Sequence, residues 1–523
     1  MTSLKPINIA ADSGGGPQER VFEFLESAGF GPARGGKRID THASVVFLGG
    51  DRVLKIKRAV RLPFLDYSTL EKRKCACIEE LKVNAANASE LYRRVVAITR
   101  TDNGGLEIGG NGTPVEWAVE MARFDEEQTL DRIAEVQPIR PSLAIAVAEK
   151  ILQSHQRAPR GNGENWLVSI PAIIDRNAAK FRSVRELEAA AIDQLHLRSQ
   201  EHLSRGLPLL AGRAGKGFVR HCHGDLHLAN IALVNGKPLL FDAIEFDLGI
   251  ATTDILYDLA FTLMDLIHFN NRSASNLVFN RYLSGSSDEN LDALAVLPLF
   301  LSMRAAIRAH VSFTRSEQMV DGKAVWHQAR RYFDLAGRFT APKPPMLIAT
   351  GGPSGTGKSV LAQALAGVVE PAPGAVVFRS DVVRKYLFGV SETTRLPEGA
   401  YQGAISQRVY DLLAKMAGRV LAQGCSVILD AAYLQESQRA ALPDLAQRHH
   451  AAFVGLFLTA DLATRLSRIQ RREHDASDAT LEVAMRQEDA LCRAMSWHSV
   501  NASGTPEDTL QRSIACLPVS AVA

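Results

Sequence analysis

Two runs of residues carry side chains whose types and spacing could move a phosphoryl group. The first, Gly352-Pro353-Ser354-Gly355-Thr356-Gly357-Lys358-Ser359, fits G-x-x-x-x-G-K-[ST]. Glycines at these positions let successive backbone N–H groups converge on phosphate oxygens. Lys358 can then reach the β- and γ-phosphates, and the Ser359 hydroxyl can ligate magnesium. The second run, His223-Gly224-Asp225-Leu226-His227-Leu228-Ala229-Asn230, is followed by Leu239-Leu240-Phe241-Asp242. In this H-x-D-x-x-x-x-N pattern Asp225 can take the proton of an attacking hydroxyl, while Asn230 and Asp242 offer oxygen donors for magnesium beside ATP phosphates. Packing gives no reason for these three residues to recur together at this spacing. Both runs point to magnesium-assisted transfer of a γ-phosphoryl group from ATP to an oxygen nucleophile.

Such chemistry needs elements that hold it. Met346-Leu347-Ile348-Ala349-Thr350 reads as a buried strand entering the glycine loop, and Val360, Leu361 and Leu365 give the helix that leaves it. Val376-Val377-Phe378 leads into Ser380-Asp381-Val382-Val383-Arg384, placing a carboxylate at the C-terminal end of a strand, where open α/β sheets bind ligands. Val427-Ile428-Leu429-Asp430 is a second β-run ending in Asp, at the position of a Walker B residue. Arg465, Arg468, Arg471 and Arg472 recur on a helical stretch before His474-Asp475 and Asp478, a pattern suited to a lid over transferring phosphate.

Earlier in the chain, Val45–Leu48, the turn Gly49-Gly50-Asp51-Arg52 and Val53–Lys57 predict a β-hairpin. Ser68 starts a long helical pattern, and residues 143–205 and 253–335 read as largely helical. Ala341-Pro342-Lys343-Pro344-Pro345 cannot continue a helix and reads as a linker. The expected organisation is therefore a region 1–340, a linker 341–345 and a region 346–523.

Composition narrows the classes. The 523 residues are 46% hydrophobic and 22% charged, enough for sizeable cores and two to four domains. With 60 Lys+Arg against 57 Asp+Glu, the net charge of +3 lacks the excess of a dedicated duplex-binding protein. Aromatics do not interleave with basic residues, so no base-stacking platform is evident. Cys75, Cys77, Cys222, Cys425, Cys492 and Cys516 are too scattered for a disulfide framework and read as reduced thiols. His449-His450 lacks the further ligands of a zinc site. No run reaches the roughly 18 uninterrupted apolar residues of a membrane span, and no secretory signal opens the chain. A cytoplasmic enzyme without a membrane segment is the expectation.

The second region resembles the zeta-toxin, gluconate-kinase and polynucleotide-kinase branch of P-loop kinases over residues 346–510. The resemblance implies that Asp381 acts on the acceptor hydroxyl, that Arg384 holds substrate, and that Arg468 or Arg472 supplies the lid arginine beside the nucleotide. The first region, over about residues 20–335, resembles the aminoglycoside phosphotransferase and choline-kinase family, whose catalytic loop is HGDLHxxN. This implies a protein-kinase-like fold, with a small β-lobe and a mostly helical lobe, joined to a P-loop NTPase domain with a parallel sheet and flanking helices. It further implies Lys55 as the lysine on the α/β-phosphates, with Lys57 open beside it, Glu79 or Glu80 as its helix partner, and Asp258 as the acid bracing the loop. Thr41-His42-Ala43-Ser44 stands where other kinases carry a glycine-rich loop. His223 reads as a buried brace rather than a catalytic group, and Glu245 and Asp247 as a solvated loop edge.

The resulting expectation is a bifunctional phosphotransferase using ATP and magnesium in both regions, with small hydroxylated molecules as acceptors. Two alternatives stay open: a second region acting on a nucleic-acid 5′-hydroxyl or a nucleotide sugar, or one region serving only as an ATP-binding regulator.

Overall fold

The computed structural model describes residues 17–62, 65–471, 476–487 and 496–522. They form two compact units. Unit 1 holds the chain up to Phe269 together with Met303–Ala336, and unit 2 holds Asn270–Ser302 together with Gly337 onward.

After a helix at Pro17–Leu25, unit 1 carries an antiparallel six-stranded sheet. Its strands are β1 (Lys37–Asp40), β2 (Ser44–Gly49), β3 (Arg52–Lys57), β4 (Tyr92–Arg100), β5 (Leu106–Ile108) and β6 (Thr113–Ala122), in the order β1-β2-β3-β6-β4-β5. The hairpin β2–β3 pairs Gly49 with Arg52 and Val46 with Lys55. Gly50 takes a φ of 57° in the turn, which a glycine adopts without strain. Helix α1 (Leu70–Ala88) starts one residue later than its sequence pattern suggests, because the Thr69 hydroxyl, not Ser68, caps the Lys72 N–H. Its buried face carries Cys77, Glu80 and Asn84.

The rest of unit 1 is mostly helical, with helices at Pro141–Arg157, Gly163–Ser183 and Ala189–Lys216 inside the stretch read as helical. The catalytic-loop motif lies between the short strand Val219–His221 and the hairpin β7 (Ile231–Val234) and β8 (Lys237–Leu240). Asn235 and Gly236 turn that hairpin with φ of 50° and 76°, the left-handed pair a two-residue turn demands. Helix α2 (Ile255–His268) is buried along nearly its whole length. Helices α3 (Leu297–Gln318) and α4 (Lys323–Thr340) complete the unit with their residues from Met303 to Ala336. The stretch Asp288–Gln318 is long and apolar enough to span a membrane, but 78% of its apolar window is buried inside the protein, as in a core helix.

Unit 2 is built on a parallel five-stranded sheet. Its elements are β9 (Met346–Gly351), α5 (Lys358–Ala366), β10 (Val376–Arg379), α6 (Ser380–Leu387), β11 (Val427–Asp430), β12 (Ala452–Thr459), α7 (Leu462–Gln470), α8 (Leu481–Arg486) and β13 (His498–Asn501). The strand order is β10-β11-β9-β12-β13. Ile348, Ile428, Val454 and Leu456 meet Leu361 and Leu365 of α5 in its core. The segment Asn270–Ser302 falls by position in the first region of the sequence yet packs in unit 2. Asn280 there donates to the Ala375 carbonyl at 3.0 Å and accepts from the Val377 N–H at 2.8 Å, satisfying backbone groups of the edge strand β10.

Candidate active sites

In unit 1, β3 presents two lysines to one buried carboxylate. Lys55 Nζ lies 2.7 Å from Glu80 Oε1 and Lys57 Nζ lies 2.6 Å from Glu80 Oε2, so each oxygen takes one ammonium. Glu80 is fully buried, whereas Glu79 faces solvent and pairs with Lys82, which settles the choice between them. Lys55 also pairs with Asp242, and Lys57 with Glu245. Burial alone would lower the Lys55 ammonium; Asp242 and Glu80 outweigh it and hold the group well above its ordinary range. Burial would likewise raise the Glu80 carboxyl, but the two lysines bring it down to about 2.

Glu245 corrects the sequence reading. It is no solvated loop edge, since its side chain is 6% exposed, pairs with Lys57 and accepts the Tyr67 hydroxyl at 3.1 Å. Asp247 is half-buried and caps the helical turn Leu248–Ala251.

Asp242 has a φ of 61°. Its N–H donates to the Tyr92 hydroxyl at 3.2 Å, and the next N–H donates to Asn84 Oδ1 at 2.9 Å. Glu80 and Asn84, one helical turn apart on α1, thus grip the Asp242 loop and its lysine together.

In the catalytic-loop motif, Asn230 Nδ2 donates to the Asp225 carbonyl at 2.9 Å and to Asp225 Oδ2 at 3.3 Å. The Asn230 carbonyl accepts the N–H of Phe241, the neighbour of Asp242, at 3.0 Å. His227 Nε2 stands 3.3 Å from Asp225 Oδ2. Burial pushes the Asp225 carboxyl up, but His227, Arg308 and His223 outweigh it and leave it well below its ordinary range. His223 is a brace, as expected: its Nε2 bonds the Phe241 carbonyl at 2.9 Å, and burial lowers its imidazole.

Asp258 underpins the loop. Its carboxylate accepts the Gly224 N–H at 2.9 Å and the His223 N–H at 3.3 Å, with His155 Nε2 at 3.1 Å and Arg304 at 3.5 Å. Sequence reading missed His155, Arg304, Asp265 and Arg308, which lie far from the motif in the chain. Buried polar residues inside otherwise apolar helices were the available signal.

In unit 2, Gly352, Gly355 and Gly357 all have positive φ (126°, 86° and 92°). A Cβ at Gly355 would stand 2.6 Å from the Arg465 carbonyl oxygen, so only glycine fits there. Lys358 Nζ donates to the Pro353 carbonyl at 3.0 Å, as does the Thr356 hydroxyl at 2.8 Å. The Ser359 hydroxyl donates to Asp430 Oδ2 at 2.5 Å, bringing the two expected metal ligands together. The donors assigned to metal in both units are amide, hydroxyl and carboxylate oxygens, the hard set that suits magnesium.

A cavity of about 1390 Å³ opens over this loop, with Lys358, Ser359, Asp381, Arg384, Asp430 and Arg468 in its walls. Burial and the nearby Asp430 raise the Asp381 carboxyl, while Lys358 and Arg379 work the other way. Arg384 is 6% exposed, stacks over Tyr401 at 4.7 Å and donates to the Ala400 carbonyl at 2.7 Å.

The arginines of the lid pattern divide. Arg465 is buried and braces backbone, donating to Ser354 O at 3.0 Å and Ala484 O at 2.7 Å. Arg468 lines the cavity and donates to Gly504 O at 3.0 Å. Arg472 lies outside the described residues, as do His474 and Asp475. Asp478, which closed the lid pattern in the sequence, is a wall group that accepts from the Tyr401 hydroxyl at 2.6 Å and the Leu396 N–H at 3.1 Å; Gln487, whose Oε1 accepts the Ser354 N–H at 2.7 Å, went unnoticed in the sequence.

Comparison with known proteins follows the same division. An AAA-domain family model matches residues 347–493. A gluconokinase from Sinorhizobium meliloti is 18% identical, with a TM-score of 0.25, over 33% of this chain and 92% of that one. A choline/ethanolamine kinase family protein from Mesorhizobium loti is 13% identical, with a TM-score of 0.35, over 57% of this chain and 91% of that one. Uncharacterised proteins of Mycobacterium tuberculosis and Mycobacterium bovis are each 30% identical over 481 residues, spanning 90% of this chain and 92% of theirs. With this likeness running through both units, the chain belongs to the family of these mycobacterial proteins.

Proposed function

We propose that the chain is a bifunctional ATP-dependent phosphotransferase that passes the γ-phosphoryl group to hydroxyl acceptors, with small molecules as the acceptor class in both units. One observation carries the reading: each unit gathers, from its own residues, a lysine for phosphates, oxygen donors suited to magnesium and a carboxylate for the acceptor proton. In unit 1 these are Lys55, Asn230 with Asp242, and Asp225. In unit 2 they are Lys358, Ser359 with Asp430, and Asp381, all in the walls of one cavity.

In each unit the carboxylate, Asp225 or Asp381, takes the proton of the acceptor hydroxyl as its oxygen bonds the γ-phosphorus. The bond from that phosphorus to the β–γ bridging oxygen breaks, and ADP leaves. Magnesium, when bound, would neutralise phosphate charge, held by Asn230 and Asp242 in unit 1 and by Ser359 and Asp430 in unit 2. Lys55 and Lys358 hold the phosphates in line, and Arg468 faces the charge that develops on the transferring group. Arg384, fixed by Tyr401 and Ala400, is placed to hold the acceptor. The buried free thiols Cys77, Cys222 and Cys425 accord with a reducing, cytoplasmic setting.

The test is to incubate the protein, and its Asp225→Ala and Lys358→Ala variants, with labelled ATP and a metabolite extract. A bifunctional enzyme loses a different set of labelled products in each variant. If one variant keeps every product, the unit it alters is a nucleotide-binding module instead.

A further inference from the structure

Asp478 joins three segments that wall the unit 2 cavity. It sits in the segment 476–487, and its two carboxylate oxygens serve different elements. Oδ1 lies 3.2 Å from the Nζ of Lys385 on α6, a buried ammonium next in the chain to Arg384. Oδ2 accepts the Leu396 N–H at 3.1 Å and the Tyr401 hydroxyl at 2.6 Å, both on the stretch between α6 and the helix Gly403–Leu421.

These bonds lead to the acceptor arginine. The Tyr401 ring lies 4.7 Å from the Arg384 guanidinium, and the Ala400 carbonyl beside it accepts from Nη1 at 2.7 Å. Nη2 reaches the Ser406 hydroxyl at 3.4 Å. Nε is buried without a hydrogen-bond partner among the described residues, which leaves a donor for a molecule in the cavity that Arg384 lines. The far end of Asp478's own segment is fixed to the phosphate loop. Gln487 Oε1 accepts the Ser354 N–H at 2.7 Å, and Arg465 donates to both Ser354 O and Ala484 O. Asp478 thus stands on a piece of chain tied to the loop that holds the nucleotide. A phenol bonded to a carboxylate is held more firmly than a free one, and a cation stacked on its ring shares that order.

We propose that Asp478 is the positioning residue of the unit 2 acceptor site: through Tyr401 it holds Arg384 in register with the phosphate loop. This deepens the reading of unit 2 as a phosphotransferase and rests on it. Because Tyr401 acts on the acceptor only through Arg384, losing its bond to Asp478 weakens capture of the acceptor and leaves capture of ATP largely alone.

The test uses the full chain carrying Asp225→Ala, so that labelled products report unit 2, with added Lys358→Ala as the blank. Labelled ATP and magnesium are supplied with a metabolite extract in serial dilution. The readouts are the extract concentration and the ATP concentration that give half-maximal labelling. Asp478→Asn also leaves the Lys385 ammonium without its carboxylate, so the deciding variant is Tyr401→Phe, which removes only a hydroxyl from an exposed ring. It should raise the half-saturating extract concentration about tenfold and the half-saturating ATP concentration less than about twofold. Asp478→Asn should do at least as much to the extract value, and Asp478→Glu should recover part of it. In a chain already carrying Arg384→Lys, Tyr401→Phe should add almost nothing, because both changes act on one contact. Equal rises for extract and ATP, no rise for the extract, or an undiminished effect beside Arg384→Lys would overturn the proposal. Labelling that Lys358→Ala leaves undiminished, or no labelling at all, sinks the reading of unit 2 as a phosphotransferase, and this role of Asp478 with it.

Discussion

Asp225 and Asp381 are assigned the same task, yet their surroundings push their carboxyls in opposite directions. His227 and the nearby arginine hold Asp225 low, so it stays ionised well into acid and its contribution to stability is lost only as pH falls through that lowered value. Asp381 is raised by burial and Asp430. Its protonated form is the one the fold favours, so stability is present at low pH and withheld as pH rises through the raised value. The two transfer activities, measured separately in the Lys358→Ala and Asp225→Ala backgrounds, should therefore have distinct acid limbs, that of unit 2 at the higher pH. Coincident limbs would contradict these roles. A second consequence follows for Asp381→Asn: transfer by unit 2 should fall by about 10²- to 10⁴-fold. At neutral pH the same variant should melt higher than the parent in a thermal scan, because a neutral amide replaces a carboxylate that is costly to ionise there.

At the level of elements, α1 does more than cover the sheet. Through Glu80 it fixes both lysines of β3, and through Asn84 it fixes the backbone beside Asp242. Removing the single charge at Glu80 leaves Lys55 and Lys57 facing each other without the carboxylate between them. Glu80→Gln is expected to destabilise unit 1 by about 3 to 5 kcal/mol, the range for breaking a buried ion pair from one side. Denaturant unfolding followed in a nucleotide-free sample would register it. In unit 2 the corresponding support is Arg465, whose guanidinium ties the phosphate loop at Ser354 to α8 at Ala484. An arginine read from sequence as one of four lid groups is thus part of the loop's scaffold.

Over the whole molecule, two nucleotide sites on separate cores should respond to ligand separately. Magnesium and ATP at about a hundredfold excess over Kd should stabilise each unit by about 2.7 kcal/mol. Lys358→Ala should remove that gain from unit 2 and leave it in unit 1, as read by domain-resolved hydrogen exchange. Loss of protection in both units would mean that nucleotide binding is shared between them.

The local motifs were legible because their chemistry is written in neighbouring residues: the glycine loop with Lys358 and Ser359, the Asp225–Asn230 spacing, and Asp381 and Asp430 at strand ends. Periodicity likewise gave the β2–β3 hairpin and the long helices. Choices between adjacent residues needed the fold, since Glu79 and Glu80 differ only in which way the helix turns them, and Glu245 becomes a buried partner only where β3 delivers Lys57. The segment Asn270–Ser302 shows the same limit at larger scale: its asparagines satisfy the edge of β10 from about a hundred positions away. Short-range pattern determines what a residue can do chemically and which local element carries it. Long-range burial and pairing decide which of several equivalent side chains is placed to do it, because desolvation and ion pairing depend on neighbours that chain order does not reveal.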